Sequence, residues 1–180
     1  MRITGGFLSG RQVKVPGGII RPAMDRMRES VFSILGDLSD SSFLDFFSGS
    51  GIIGLEAASR GATYIEAVEA DPKKFKILLD NIKISPVRIN CHLMSAELYI
   101  KRAKRSFDYI FCDPPFPYKY KLDLLTSIAE SKLMNDGSLL LLHHPREDFC
   151  DNPSPKLLLN DSREFGRSIV NFYKYLPSGI

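Results

Sequence analysis

With 180 residues, 44% hydrophobic and 25% charged, the chain has the balance of one globular domain with room for a small appendage, which excludes disorder and repeat arrays. Lys and Arg number 24 and Asp and Glu 21, so the net charge of +3 is too mild to identify a nucleic-acid partner by itself. Three separated cysteines, Cys91, Cys112 and Cys150, form no CxxC pair, which argues against a zinc ribbon or a dithiol centre and for a reducing cytosol.

The opening Met1-Arg2-Ile3-Thr4-Gly5-Gly6 lacks the apolar core of a signal peptide. Arg2-Ile3-Thr4 and Gln12-Val13-Lys14-Val15 read as short strands around glycine turns, so residues 1–18 are expected to form a β-hairpin extension, too small for its own core. Basic residues crowd this end: Arg2, Arg11, Lys14, Arg21, Arg26 and Arg28 face only Asp25 and Glu29 within the first thirty positions. Smaller basic clusters are Lys101, Arg102, Lys104 and Arg105, then Lys119 and Lys121. Such charges can neutralise phosphates, and Arg2, Arg11 and Lys14, with no acid neighbours, are assigned to RNA. Pro22 suits a first helical turn, and Met24, Met27, Val31, Phe32, Ile34 and Leu35 supply the apolar face of a helix that Gly36 ends.

From residue 43 the chain alternates. Strands are expected at 43–46, 64–69, 87–93, 107–112 and 138–143, with helices at 52–60, 72–84, 96–104 and 120–133 between them. Two more strands, near 156–159 and 168–175, have no intervening helix and predict an antiparallel edge hairpin. The fold class is therefore α/β: a Rossmann-like seven-stranded sheet, mostly parallel, over residues 19–180. The apolar run Leu139–Leu142 is far too short to span a bilayer.

Gly49-Ser50-Gly51-Ile52-Ile53-Gly54 matches G-x-G-x-x-G between a strand and a helix, and Glu69 ends the next strand where a carboxylate can accept from ribose hydroxyls. A nucleoside-containing ligand follows. Asp45 precedes the glycines; its charge would repel a pyrophosphate but suits the cationic methionine part of S-adenosylmethionine. A nicotinamide-dependent oxidoreductase would share the loop and Glu69.

Asp113-Pro114-Pro115-Phe116 follows the strand Tyr109-Ile110-Phe111-Cys112. Two prolines stiffen this corner at the carboxyl end of a parallel strand. The Asp113 carboxylate and the Pro114 carbonyl can accept from an NH₂ group, and Phe116 offers a stacking face. An aryl amine is a poor nucleophile because its lone pair is delocalised; two acceptors on its protons favour a pyramidal nitrogen. The oxidoreductase reading gives this corner no use. Amino-methylation of a base does, on guanine or on adenine, in RNA or DNA. A non-catalytic RNA-binding protein on a decayed enzyme fold would not need an intact Asp113.

These blocks together resemble the RsmD-like family of bacterial 16S rRNA guanine-N2 methyltransferases: Arg2-Ile3-Thr4-Gly5-Gly6; Arg21-Pro22 with Asp25-Arg26-Met27-Arg28-Glu29; Leu44 to Gly51 with Gly54-Leu55-Glu56-Ala57; Glu69-Ala70-Asp71; and Asp113 to Phe116. The resemblance implies S-adenosylmethionine as donor and a guanine of 16S rRNA as target, in the small ribosomal subunit or its assembly intermediate, with a cytoplasmic monomer as the enzyme. It implies that Asp45, Gly49 and Gly51 hold the methionine part, Glu69 the ribose, and Asp113, Pro114, Pro115 and Phe116 the target base. The segment 21–29 would close over the donor, with Arg21 and Asp25 toward it, and Arg21 and Arg28 on RNA. The family's usual Asp-Ala pair at the adenine is Ser95-Ala96 here, an acceptor without charge. His92, His143 and His144 lack metal-ligand spacing and read as surface or strand-end residues; Cys112, outside the proline loop, reads as a buried strand residue.

Overall fold

The computed structural model describes residues 1–17, 22–116, 118–148, 150 and 153–179, with the side chains of 22 and 23 left aside. The elements run α1 (Pro22–Leu35), β1 (Ser42–Phe46), α2 (Ile52–Ser59), β2 (Tyr64–Glu69), α3 (Pro72–Asn81), β3 (Ile89–Leu93), α4 (Ala96–Arg102), β4 (Phe107–Cys112), α5 (Lys121–Glu130), β5 (Met134–Pro145), β6 (Leu157–Phe165) and β7 (Ser168–Tyr175). They form one seven-stranded sheet in the order β3-β2-β1-β4-β5-β7-β6. The pairs from β3 to β5 are parallel; β7 is antiparallel to both β5 and β6. The order reverses between β1 and β4, and at that switch point loops leave opposite faces and open a crevice.

Strand alternation divides the core. Phe43, Phe111 and Leu141 point to the face covered by α1, α2 and α3. Leu44, Phe46, Ile110, Cys112, Leu140 and Leu142 point to the face covered by α4 and α5. Central parallel strands buried on both faces read as continuous apolar runs, which is why they were legible.

Element ends differ from expectation. Helix α3 tightens into a 3₁₀ turn over Ile82–Ile84, and α4 and α5 stop short of the expected ends. Strand β5 begins earlier, at Met134. There the Ser138 hydroxyl accepts from the Asn135 amide (2.9 Å) and donates to the Phe107 carbonyl (2.8 Å), holding the register shift between Phe107 and Tyr109.

Residues 1–17 fold back antiparallel as expected, through the bridge of Arg2 with Gln12 and hydrogen bonds from Ile3, Gly10 and Val13 N–H to the Arg11, Ile3 and Met1 carbonyls, each 2.9 Å, although neither arm is a regular strand. They are also fastened to the sheet domain. Ile3, Leu8 and Val13 are buried in the core shared with α1 and α2. The Ser59 carbonyl accepts from Phe7 N–H (2.9 Å), and its hydroxyl accepts from Leu8 N–H (2.8 Å). At Gly6, φ is +72° and an added Cβ would lie 1.8 Å from the Ser59 carbonyl oxygen, so only glycine permits this approach.

Candidate active site

Sheet register assembles the site. Phe46, Val68, Cys112 and Leu142 form one row across β2, β1, β4 and β5. The next residue along β2, β4 and β5 gives Glu69, Asp113 and His143, level with one another at the carboxyl end of the sheet's centre. Together with Asp45 and Gly49 they line a cleft of about 1140 Å³.

Asp45 is 1% exposed, and neither carboxylate oxygen makes a hydrogen bond of ordinary geometry among the described residues, although the Gly54 amide and the Ser48 hydroxyl are close enough to favour its charge weakly. The neighbouring Ser48 hydroxyl is turned away, to the Asp45 and Val68 carbonyls at 2.7 and 3.2 Å. Burial, then the charge of Asp113, holds the Asp45 carboxyl well above the usual carboxylate range, with Glu69 adding to the effect. A buried carboxylate without a partner costs stability. A cationic ligand entering the cleft would supply what it lacks.

Glu69 stiffens the glycine loop. Its Oε2 accepts from Gly49 N–H and its Oε1 from Asp71 N–H, each at 2.8 Å. Each oxygen retains a lone pair for a ribose hydroxyl. Gly49 has a φ of 55°. Gly51, at φ 78°, has another job: an added Cβ would lie 2.6 Å from Leu78 Cδ1, so Gly51 lets α3 pack and does not itself line the cleft.

At the far end of the cleft, Asp113 Oδ1 lies 2.8 Å from His143 Nδ1. His143 Nε2 lies 2.8 Å from the Ser168 hydroxyl. The Phe116 ring, 44% exposed, sits 5.4 Å from the His143 ring at a 55° tilt. Pro114 is buried and Pro115 exposed. Sequence reasoning placed the histidines at the surface or strand ends; His143 is at a strand end but buried, against the base-corner acid. Its signal was a polar residue directly after the apolar run Leu139–Leu142. Cys112 is buried as expected, and burial followed by the charges of Asp45 and Asp113 pushes its thiol well up, away from a nucleophilic thiolate.

Several assignments move. Arg28, assigned to RNA, is fully buried. Its guanidinium reaches Asp25 (2.5 Å), Glu56 (3.4 Å) and the Arg2 carbonyl (3.1 Å), so it cannot face phosphates. Asp25 serves Arg28 and does not line the cleft; Met24 and Met27 of α1 do. Ser95 caps α4, accepting from Leu98 N–H at 3.2 Å, and Ala96 is buried in the core; neither lines the cleft. Arg2, Arg11 and Lys14 are exposed, but Lys14 does have an acid neighbour, Asp80 at 3.6 Å. Arg21 lies outside the described residues. Glu56 is the buried acid that Arg28, Arg60 and Thr4 share.

A Rossmann-like sheet with a glycine loop, an acid ending the second strand, a buried carboxylate before the glycines and an Asp-Pro-Pro-Phe corner in one cleft is the architecture of an S-adenosylmethionine-dependent methyltransferase. The family model described as "Conserved hypothetical protein 95" matches residues 1–174, and the chain belongs to that RsmD-like family. It is 32% identical over 185 residues to "Ribosomal RNA small subunit methyltransferase D" of Escherichia coli, covering 99% of this chain and 92% of that one. Among solved structures it resembles the yhhF protein of Escherichia coli, with a TM-score of 0.88, 25% identity and 98% of each chain covered. The Thermus thermophilus protein TTHA0928 gives a TM-score of 0.81 at 28% identity, covering 97% of this chain and 99% of that one. SMU.776, solved with S-adenosylhomocysteine, shares the fold at 15% identity and a TM-score of 0.69, with 86% and 50% of the chains covered.

Proposed function

We propose that this enzyme methylates the exocyclic N2 amine of a guanine in small-subunit rRNA, on the small ribosomal subunit or its assembly intermediate. The observation that carries the reading is the Asp113 corner opening into the same cleft as Asp45 and Gly49. Asp45 and Gly49 would hold the methionine part of the donor and Glu69 its ribose. Bound there, S-adenosylmethionine supplies an electrophilic methyl group.

The chain's own residues act on the base. Asp113 and the Pro114 carbonyl accept from the amine and turn its lone pair toward the methyl-binding side, a positioning effect. Phe116 stacks on the base and offsets part of the few kcal/mol needed to unstack it. Guanine fits an acid at position 113 better than adenine does. Its N1–H and N2–H₂ are both donors, whereas adenine presents the acceptor N1 beside its amine. The adenine reading has one observation in its favour: the chain is 34% identical over 80 residues to "tRNA1(Val) (adenine(37)-N6)-methyltransferase" of Cytophaga hutchinsonii, which spans 43% of this chain. The names of the full-length relatives support small-subunit rRNA as the substrate, and the carboxylate chemistry favours guanine as the base. A cytoplasmic, ribosome-associated enzyme also suits a chain in which, among the described residues, no helix is long and apolar enough to cross a membrane.

Mass spectrometry of nucleosides from small-subunit rRNA, from cells with and without this protein, tests the reading. N2-methylguanosine should appear only with the protein. Loss of N6-methyladenosine instead would replace guanine by adenine.

A further inference from the structure

We propose that His143 is a positioning residue for methyl transfer: its Nδ1–H holds Asp113 Oδ1, so that Asp113 Oδ2 is presented to the target amine, while Ser168 fixes the ring from the other side. The proposal rests on the guanine-N2 reading of the same cleft.

Asp113 follows the last residue of β4 and has 27% of its side chain exposed. A carboxylate on a short side chain at a strand end can rotate about two torsions. Only Oδ1 has a protein partner among the described residues, and that partner is His143 Nδ1 at 2.8 Å. Oδ2 is left for substrate. The pairing follows from the fold: Cys112 and Leu142 are register partners, so the residues after them, Asp113 and His143, meet side by side.

The imidazole is itself clamped. Nε2 lies 2.8 Å from Ser168 Oγ, at the start of β7, and the ring is packed against Phe116. With only 8% of its side chain exposed, His143 has little freedom to turn. The contacts also select a protonation pattern. Facing an ionised Asp113, Nδ1 must carry a proton; the Nε2–H tautomer would set the Nδ1 lone pair against a carboxylate. The Ser168 hydroxyl, which also lies 3.3 Å from the Phe165 carbonyl, can turn its one proton to Nε2 of the neutral ring, or give it to that carbonyl and accept from the imidazolium. A small error in Asp113 matters because misplacing a reacting group by 1 Å can cost about 100-fold in rate.

Two substitutions separate positioning from packing. The side-chain amide nitrogen of Asn can occupy the place of Nδ1, and that of Gln the place of Nε2. Single-turnover transfer to small-subunit particles should fall by about 100-fold in His143→Gln, with donor affinity unchanged by calorimetry, and recover to within about 10-fold of wild type in His143→Asn. Equal, near-wild-type rates in both variants would overturn the proposal. Nitrogen-15 NMR of the histidine rings, in wild-type protein saturated with S-adenosylhomocysteine, needs no RNA. It should show His143 protonated at Nδ1, and an Nε2–H tautomer would overturn the proposal even if a variant fails to fold. The functional reading fails separately: wild type would then place its methyl group on another base, and the two variants would be compared on that base.

Discussion

At the scale of single residues, we propose that Asp45 sets the terms of donor binding. Its carboxyl is raised by burial and then by Asp113, so the folded, donor-free protein binds a proton there at pH values where the unfolded chain has lost it. Stability of the donor-free protein should therefore decline as pH rises from the ordinary carboxylate range through the raised value, because the native state holds the extra proton. Donor affinity should move the opposite way and strengthen over that window, since the cationic donor needs the ionised form. Calorimetry across pH reads this directly; Asp45→Asn should flatten the dependence and weaken binding by about 1–3 kcal/mol. An unchanged pH profile in Asp45→Asn would remove Asp45 from the donor site. Asp113 plays a different part. Asp113→Asn keeps one acceptor oxygen but puts an NH₂ toward guanine's own donors, so turnover should fall at least about 10-fold while the donor still binds. Single-turnover rates equal to wild type would show that this corner does not hold the reacting base. Both acids were visible in the sequence because each stands at the end of an apolar strand. His143 was as well placed, but nothing in the sequence shows that β5 lies beside β4. Register created that pair.

At the scale of elements, the N-terminal segment is held down by charge as well as by apolar contact. All eight residues of α2 are buried, and among them is a lone acid, Glu56. Its Oε1 accepts from the Thr4 amide (2.7 Å) and hydroxyl (2.9 Å) and faces Arg28 Nε at 3.4 Å, while its Oε2 meets Arg60. One carboxylate thus ties together the first residues, α1 and the end of α2. Removing one member of a buried ion pair leaves a stranded charge, at a cost of about 3–5 kcal/mol. Glu56→Ala should lower the melting temperature accordingly and open the Arg11 region to trypsin; thermal denaturation and limited proteolysis check this, and a loss below about 1 kcal/mol would mean the network contributes little. The same contacts change what truncation can show. Deleting residues 1–17 would strip Ile3, Leu8 and Val13 from the shared core, so the segment cannot be treated as a detachable RNA module. The parallel strands and their helices were legible from apolar periodicity. This arrangement was not, because tertiary packing, rather than local pairing, decides where a short glycine-rich segment lies. An acid inside the helix Ile52-Ile53-Gly54-Leu55-Glu56-Ala57-Ala58-Ser59 was the available signal, since a buried charge requires partners.

At the scale of the whole molecule, the cleft mouth lies between two unlike borders. Met1, Pro16 and Gly17 line it on the side of the N-terminal segment. Phe165, Gly166 and Arg167, at the turn between β6 and β7, line it near the base corner. With Arg28 withdrawn into the interior, the basic groups of the N-terminal segment among the described residues are Arg2 and Arg11, both exposed, and Lys14, which shares Asp80 with Lys83; Arg26 of α1 is exposed as well, and Lys74 lines the cleft. We propose that Arg2 and Arg11 contact RNA backbone beside the flipped guanine. Each phosphate contact releases bound counterions and contributes about 0.7–0.9 to the slope of log affinity against log salt, depending on RNA form. Replacing both by Ala should weaken binding to small-subunit particles and reduce that slope by about one to two, with donor affinity and melting temperature unchanged. Weaker binding with an unaltered salt slope would show that the arginines act through the protein's own structure. Neither should bear on base choice, because phosphate contacts position a complex and carry no sequence information. The double variant should therefore still make the same methylated nucleoside, only at higher enzyme concentration. A change in the modified base on nucleoside mass spectrometry would mean that the border, and not the Asp113 corner, selects the target.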